Sequence, residues 1–352
     1  MMGIEYLQIE SKDTRYAYAT GRLRGLEVYL LKEGDFVRLK EAADAGEILQ
    51  VLSKMPLYSD SMKGIEREED FEKGLEEELK RTYRQLRSFC PEPDLVDLFW
   101  LEYDFHNLKV LFKIRFQKNL SETAASELEK NLSPSGTQNI EILKKAILSE
   151  DFSDLSPDLK SIVQESFSSI AKSPHPQIID SLLDKKLFKY LVLKLAKYSD
   201  PFLEELIRRQ IDYFNITAFL RVKFWGMEDT RGFLEKILMD EGTVDKKKLL
   251  ELANQPANSL REVLQATDYG KAIDEALREW ENEHSFFSLD RFFEEYILSY
   301  TKRGFYVTFG REPLVNYIFL KKREIKVLRG ILRGKLARLS EDKMEKYLPS
   351  VQ

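Results

Sequence analysis

The chain has 352 residues, 43% of them hydrophobic and 12% aromatic, enough to bury a sizeable core and suggesting about two or three domains. Fifty-five basic against 60 acidic side chains leave a net charge of −5, which selects neither nucleic acid nor an anionic membrane. One cysteine, Cys90, excludes an internal disulfide, and His106, His175 and His284 are too far apart in sequence for a local zinc motif.

Taken in chain order, the apolar spacing is helical nearly throughout. No apolar run approaches the ~18 residues needed to span a bilayer, and no basic n-region with an apolar h-region opens the chain, so a soluble intracellular protein is expected. The polar stretch 71–89, following the acidic run from Glu66 to Asp70, reads as a surface helix. Breaks are marked by Asn131 to Gly136, Ser173 to Pro176 and Asn254 to Ala257. In 180–200, Leu183, Leu187, Leu191, Leu195 and Tyr198 step by three or four with lysines between them. Only Gly304 to Gly310 suggests an extended segment. Leu328, Leu332, Leu336 and Leu339 close the chain on another helical stripe.

A long-period repeat organises these elements. Glu92-Pro93, Asp200-Pro201 and Glu312-Pro313 each pair an acid with a proline. The three prolines are 108 and 112 residues apart. Eleven residues past each proline stands another acid, Asp104, Asp212 or Glu324; three further on come Asn107, Asn215 and the divergent Val327. Basic residues then coincide at Lys113, Arg221 and Arg333, and large apolar ones at Phe112, Leu220 and Leu332. Proline suits the first helical turn, where its missing N–H has no partner, and the preceding acid can cap the helix. Each unit therefore predicts a helix of about 24 residues, some 36 Å long, whose apolar later half is buried. A period near 110 is too long for a solenoid. The expectation is an all-α fold of three homologous helical domains near 1–125, 126–229 and 230–352.

Little in the sequence carries chemistry. Gly330 to Leu336 imitates a phosphate loop, but three residues rather than four separate its glycines and Leu336 follows Lys335, so nucleotide binding is rejected. The two glycines suit a close helix–helix approach instead. The pairs Asp104/Asn107 and Asp212/Asn215 lie on single helix faces and are read as structural hydrogen-bonding groups, since an active site rarely recurs in every domain. His106 and Cys90 have no partners that would make them reactive. The stretch 321–338 carries Lys321, Lys322, Arg323, Lys326, Arg329, Arg333, Lys335 and Arg338 against Glu324. It reads as a solvated face or a contact with an acidic protein, with RNA or acidic lipid as the alternative. No catalytic, cofactor-binding or metal-binding residue is assigned.

Tyr18 to Glu27, Asp104 to Lys109, Phe309 to Tyr317 and Lys322 to Lys335 together resemble the C subunit of the archaeal and bacterial A/V-type rotary ATPases, whose counterpart in the eukaryotic vacuolar enzyme is the d subunit. The resemblance spans nearly the whole chain and is most specific at the C-terminal segment. It implies a funnel of three similar domains about a pseudo-threefold axis. It also implies a non-catalytic rotor socket between the central shaft and the membrane proteolipid ring, transmitting torque, with the membrane stator subunit as a further neighbour. Such a subunit is peripheral, on the cytoplasmic side, and takes no cofactor, nucleic acid or small-molecule substrate. A free-standing helical scaffold binding acidic protein or RNA through 321–338 is the alternative.

Overall fold

The structure, a computed structural model, describes residues 13–117, 120–172, 174–341, 343–344 and 348. It falls into two compact units, residues 1–96 with 294–352, and residues 97–293. The chain begins with α1 (Ala17–Glu27), α2 (Glu33–Glu41), α3 (Ala45–Leu52), α4 (Phe71–Phe89) and α5 (Pro93–Leu98). It continues through α6 (Leu101–Phe116), α7 (Glu122–Glu129), α8 (Ile140–Leu148), α9 (Pro157–Ile170), α10 (Pro176–Leu195) and α11 (Pro201–Trp225). Then follow α12 (Thr230–Ile237), α13 (Lys246–Glu251), α14 (Ser259–Leu264), α15 (Gly270–Glu283), α16 (Phe287–Thr301) and α17 (Glu312–Leu336). Among the described residues there is no strand, and the fold is all-α. The segment 304–310 is not extended: Lys302–Tyr306 forms a 3₁₀ turn followed by bends. Aromatic and β-branched residues alone do not make a strand where no neighbouring edge offers hydrogen bonds.

The predicted breaks at 131–136, 173–176 and 254–257 separate helices, Ser173 itself lying outside the described residues. Two of the three proline-started helices are single 25-residue elements, α11 and α17. The first copy is interrupted. Trp100 N–H donates to the Asp97 carbonyl (2.9 Å) and Tyr103 N–H to the Trp100 carbonyl (3.1 Å), tight i→i+3 bonds that end α5 and restart the chain as α6. The expected cap from the acid before proline is made by Asp200, which accepts from Phe202 N–H and Leu203 N–H. Glu92 instead binds side chains, and α17 begins at Glu312 itself, with Pro313 in its first turn.

In the unit 97–293, Phe105, Leu108, Leu111 and Phe112 of α6 pack on Leu143 and Ile147 of α8, Val163 and Ile170 of α9, and Ile179 and Leu183 of α10. Each fully buried aliphatic of this kind is worth about 1.5–3 kcal/mol. In the other unit α17 is central, packed by α1, α2, α3, α4 and the 302–306 turn. Helix α4 is only half a surface helix: Phe71, Leu75, Leu79 and Leu86 are buried, and so is the carboxylate of Glu78. Gly330 and Gly334 face the side chains of Leu348 and Met344, which occupy the space a Cβ would take.

Candidate functional site

The acids at the repeat positions, Asp104, Asp212 and Glu324, are all buried. Asp104 and Asn107 lie one turn apart on α6, both fully buried. Asn107 Nδ2 donates to the Ser133 carbonyl (2.8 Å), and its Oδ1 accepts from Ser133 N–H (2.8 Å). Asp104 accepts from Thr137 N–H (3.0 Å), the Thr137 hydroxyl (2.6 Å) and Gln138 N–H (2.9 Å). Burial pushes the Asp104 carboxyl above its ordinary 3.8, against the pull of those donors.

Helix α11 repeats this arrangement. Asn215 exchanges both hydrogen bonds with Met239 at 2.9 Å. Asp212 accepts from Thr243 N–H (2.8 Å), the Thr243 hydroxyl, Val244 N–H (2.9 Å) and the Tyr269 hydroxyl (2.9 Å). Thr137 and Thr243 lie 33 and 31 residues downstream of the aspartates they serve. Each follows a glycine, Gly136 or Gly242, at which a Cβ would run into the aspartate carboxylate. Two residues after each threonine, Asn139 or Asp245 caps the next helix. The signal missed in the sequence is therefore Gly-Thr-x-Asn/Asp: Gly136-Thr-Gln-Asn139 and Gly242-Thr-Val-Asp245. A clamp of this form gives loop backbone groups hydrogen-bond partners and fixes a loop against a helix.

In the third copy Glu324, on α17, accepts from Leu31 N–H (2.6 Å), the Tyr58 hydroxyl (2.5 Å) and Lys321 (2.6 Å). The buried Lys321 ammonium also lies 2.9 Å from Glu78, whose other partner is the Arg81 guanidinium at 2.8 Å. Burial and the neighbouring Glu324 and Glu78 charges hold the Tyr58 and Tyr317 phenols well above 10. The acid in this copy thus fixes Leu31 and Tyr58 against α17, and its third partner, Lys321, lies one turn earlier on the same helix. Pro93, Pro201 and Pro313 stand in the first turns of α5, α11 and α17.

The basic stretch 321–338 meets acids of its own chain. Arg329 pairs with Glu72 (2.8 Å) and Glu76 (3.2 Å), Arg333 with Glu72 (2.7 Å), and Lys326 with Glu294. Those acids lie on α4 and α16, so much of this charge is neutralised within the unit. His106 Nε2 is 2.8 Å from the Asn131 carbonyl, His175 caps α10, and His284 packs on Trp280. The buried Cys90 thiol donates to the Glu92 carbonyl (3.2 Å), and burial raises it above its usual range. Among the described residues no group of His, Cys, Asp and Glu has the arrangement to hold a metal ion.

The family model described as ATP synthase (C/AC39) subunit matches residues 19–347 of this chain. The chain belongs to that family. Similar curated proteins include the C subunit of the V-type sodium ATPase of Enterococcus hirae, 27% identical, with 94% of this chain and 96% of the relative covered. The C subunit of the A-type ATP synthase of Methanocaldococcus jannaschii is 22% identical, covering 96% and 86%. That of Thermococcus kodakarensis is 23% identical, covering 94% and 90%. Membership makes the chain a non-catalytic subunit of a V-type or A-type ATPase, with partners inside that complex. Among the described residues no helix is long and apolar enough to cross a membrane.

Proposed function

We propose that this member of the C/AC39 family is the central-stalk socket of a rotary ATPase, joining the rotor shaft to the membrane proteolipid ring. It transmits torque between ATP hydrolysis or synthesis and proton or sodium transport, and performs no chemistry. It is held at the cytoplasmic face as a peripheral component, with the stator subunit as a neighbour. Its three helical domains, built on the helices begun by Pro93, Pro201 and Pro313, form a funnel about a pseudo-threefold axis.

The observation that carries this reading is the fate of the repeated acids. Asp104, Asp212 and Glu324 each spend their oxygens on distant chain segments rather than presenting them to a ligand. A coupling has to pass load without slack, and close-packed interiors with fully satisfied polar groups are stiff. The scaffold alternative loses support because Lys321, Lys326, Arg329 and Arg333 are matched by acids of the same chain.

The test is extraction of native membranes in mild detergent with a tag on this chain. The shaft subunits and the proteolipid ring are expected to co-purify. Removing the chain is expected to leave a headpiece that hydrolyses ATP without pumping ions. Recovery of the tagged chain free of every ATPase subunit refutes the proposal.

A further inference from the structure

Beside α17, within the unit of residues 1–96 and 294–352, lies a cavity of about 270 Å³. Its sides come from three stretches of chain: 30–36, the 302–306 turn, and the α17 face that carries Leu320, Arg323, Glu324 and Val327. The segment around Leu31 and the 302–306 turn are both pinned by side chains. Glu324 accepts from Leu31 N–H at 2.6 Å, and Arg24 donates to the carbonyls of Gly304 (2.8 Å), Phe305 (3.1 Å) and Val307 (3.1 Å). The Arg24 guanidinium is itself held by Glu27 at 2.8 Å. The cavity is therefore formed in advance of any occupant, in the manner of small-ligand pockets.

The lining divides by chemistry. Leu30, Phe36, Leu320 and Val327 give it an apolar side, while Lys32, Lys302 and Arg323 bring one cation from each of the three stretches. Two carboxylates also line it. Glu324 has both oxygens engaged, one by Leu31 and the other by Tyr58 and Lys321, and Glu33 stands exposed at the start of α2. Arg323 is half-buried, and burial pulls its guanidinium below its ordinary value against the effect of Glu294 and Glu295. Of those two acids, Glu294 is paired with Lys326. A partly dehydrated arginine with lysines on two other sides suits an anion whose oxygens point in three directions, which a phosphate has and a carboxylate lacks.

We propose that this cavity binds an organic phosphate, with its phosphate group on Lys32, Lys302 and Arg323 and its apolar portion against Leu30, Phe36, Leu320 and Val327. The site goes beyond the rotor reading and does not depend on it. The headgroup of an anionic lipid and a soluble phosphate ester present the same chemistry to these residues.

Calorimetric titration of the full chain with hexyl phosphate, inorganic phosphate and hexanoate tests the assignment. Hexyl phosphate is expected to bind about tenfold more tightly than inorganic phosphate, because its methylenes leave water, and about tenfold more tightly than hexanoate. Arg323→Gln is expected to weaken it about 20-fold and Lys302→Gln about 5-fold, with Lys54→Gln, exposed and outside the lining, as a silent control. Amide exchange is expected to slow at 30–36 and 302–306. Phosphatidic acid vesicles that displace hexyl phosphate assign the source to a lipid; vesicles that fail to displace it assign a soluble ester. Failure of hexyl phosphate to bind, equal affinity for hexanoate, or protection confined to other segments overturns the proposal. So does undiminished binding by an Arg323→Gln chain of unchanged melting temperature. If that variant melts early, Lys302→Gln on the partly exposed turn decides, and full binding there is the refuting result.

Discussion

Truncating the two repeat asparagines separates burial from hydrogen bonding. Asn215 and its partner Met239 are both buried, at 0% and 1% exposure, while Ser133 opposite Asn107 is partly exposed. Asn215→Ala strands a carbonyl and an N–H of Met239 away from water, at roughly 1–3 kcal/mol each, so about 4 kcal/mol in all. Asn107→Ala leaves the same two groups on Ser133 within reach of solvent, for a cost of about 1–2 kcal/mol. At a slope near 2 kcal/mol/M, the urea midpoint of Asn215→Ala should fall by roughly 2 M and that of Asn107→Ala by under about 1 M. Trp100, Trp225 and Trp280 all lie in the unit 97–293, so tryptophan emission follows the unfolding of the unit that holds both residues. Equal shifts, or a loss below about 1 kcal/mol for Asn215→Ala, would refute the argument that interior backbone groups depend on this side chain.

Glycine to alanine within loops commonly stabilises by about 0.4–1 kcal/mol, but Gly242→Ala and Gly136→Ala should each destabilise by roughly 2–4 kcal/mol, because the new methyl displaces a clamping carboxylate. A rise in melting temperature would contradict this. Lys321→Met should cost about 3–5 kcal/mol by leaving Glu78 and Glu324 without their shared cation, and adding Glu324→Gln should recover part of it; amide exchange along α17 measures both. Hydrogen bonding to Arg311 holds the Glu92 carboxyl below its ordinary 4.5, so its stabilising contribution is present above 4.5 and disappears as pH falls through the folded-state value. The stability gap between the native chain and Glu92→Gln should accordingly close on acidification, and a gap independent of pH would exclude the mechanism.

The long helices were legible because proline, apolar spacing and length act locally. Pro201 and Pro313 mark elements of 25 residues for the same reason in each case. The interruption at 99–100 was not legible, since it is a pair of backbone bonds around the buried Trp100 that leaves no composition signal. Asp104 and Asp212 announced themselves as interior polar groups, but their partners did not: an N–H of Gln138 or Val244 looks the same whatever residue bears it. Only the glycine and threonine before those donors carry sequence information. The basic run on α17 misled through sequence distance. Arg329 finds its acid, Glu72, 257 residues earlier, so local charge counting sees an excess that the fold cancels. Arg221 was aligned with Lys113 and Arg333 by type, and only geometry distinguishes its looser pairing, 3.8 Å from Asp290.

The bond from Leu31 N–H to Glu324 crosses 293 positions of the polypeptide and has a consequence for biosynthesis. Helices α1, α2 and α3 cannot acquire their central partner, α17, until residues 312–336 have been translated. At about 5–20 residues per second, the wait while residues 97–293 are made is on the order of ten to forty seconds. The middle of the molecule can therefore mature on the ribosome first. The segment 17–52 must stay unpaired and chaperone-accessible until α17 has left the ribosome.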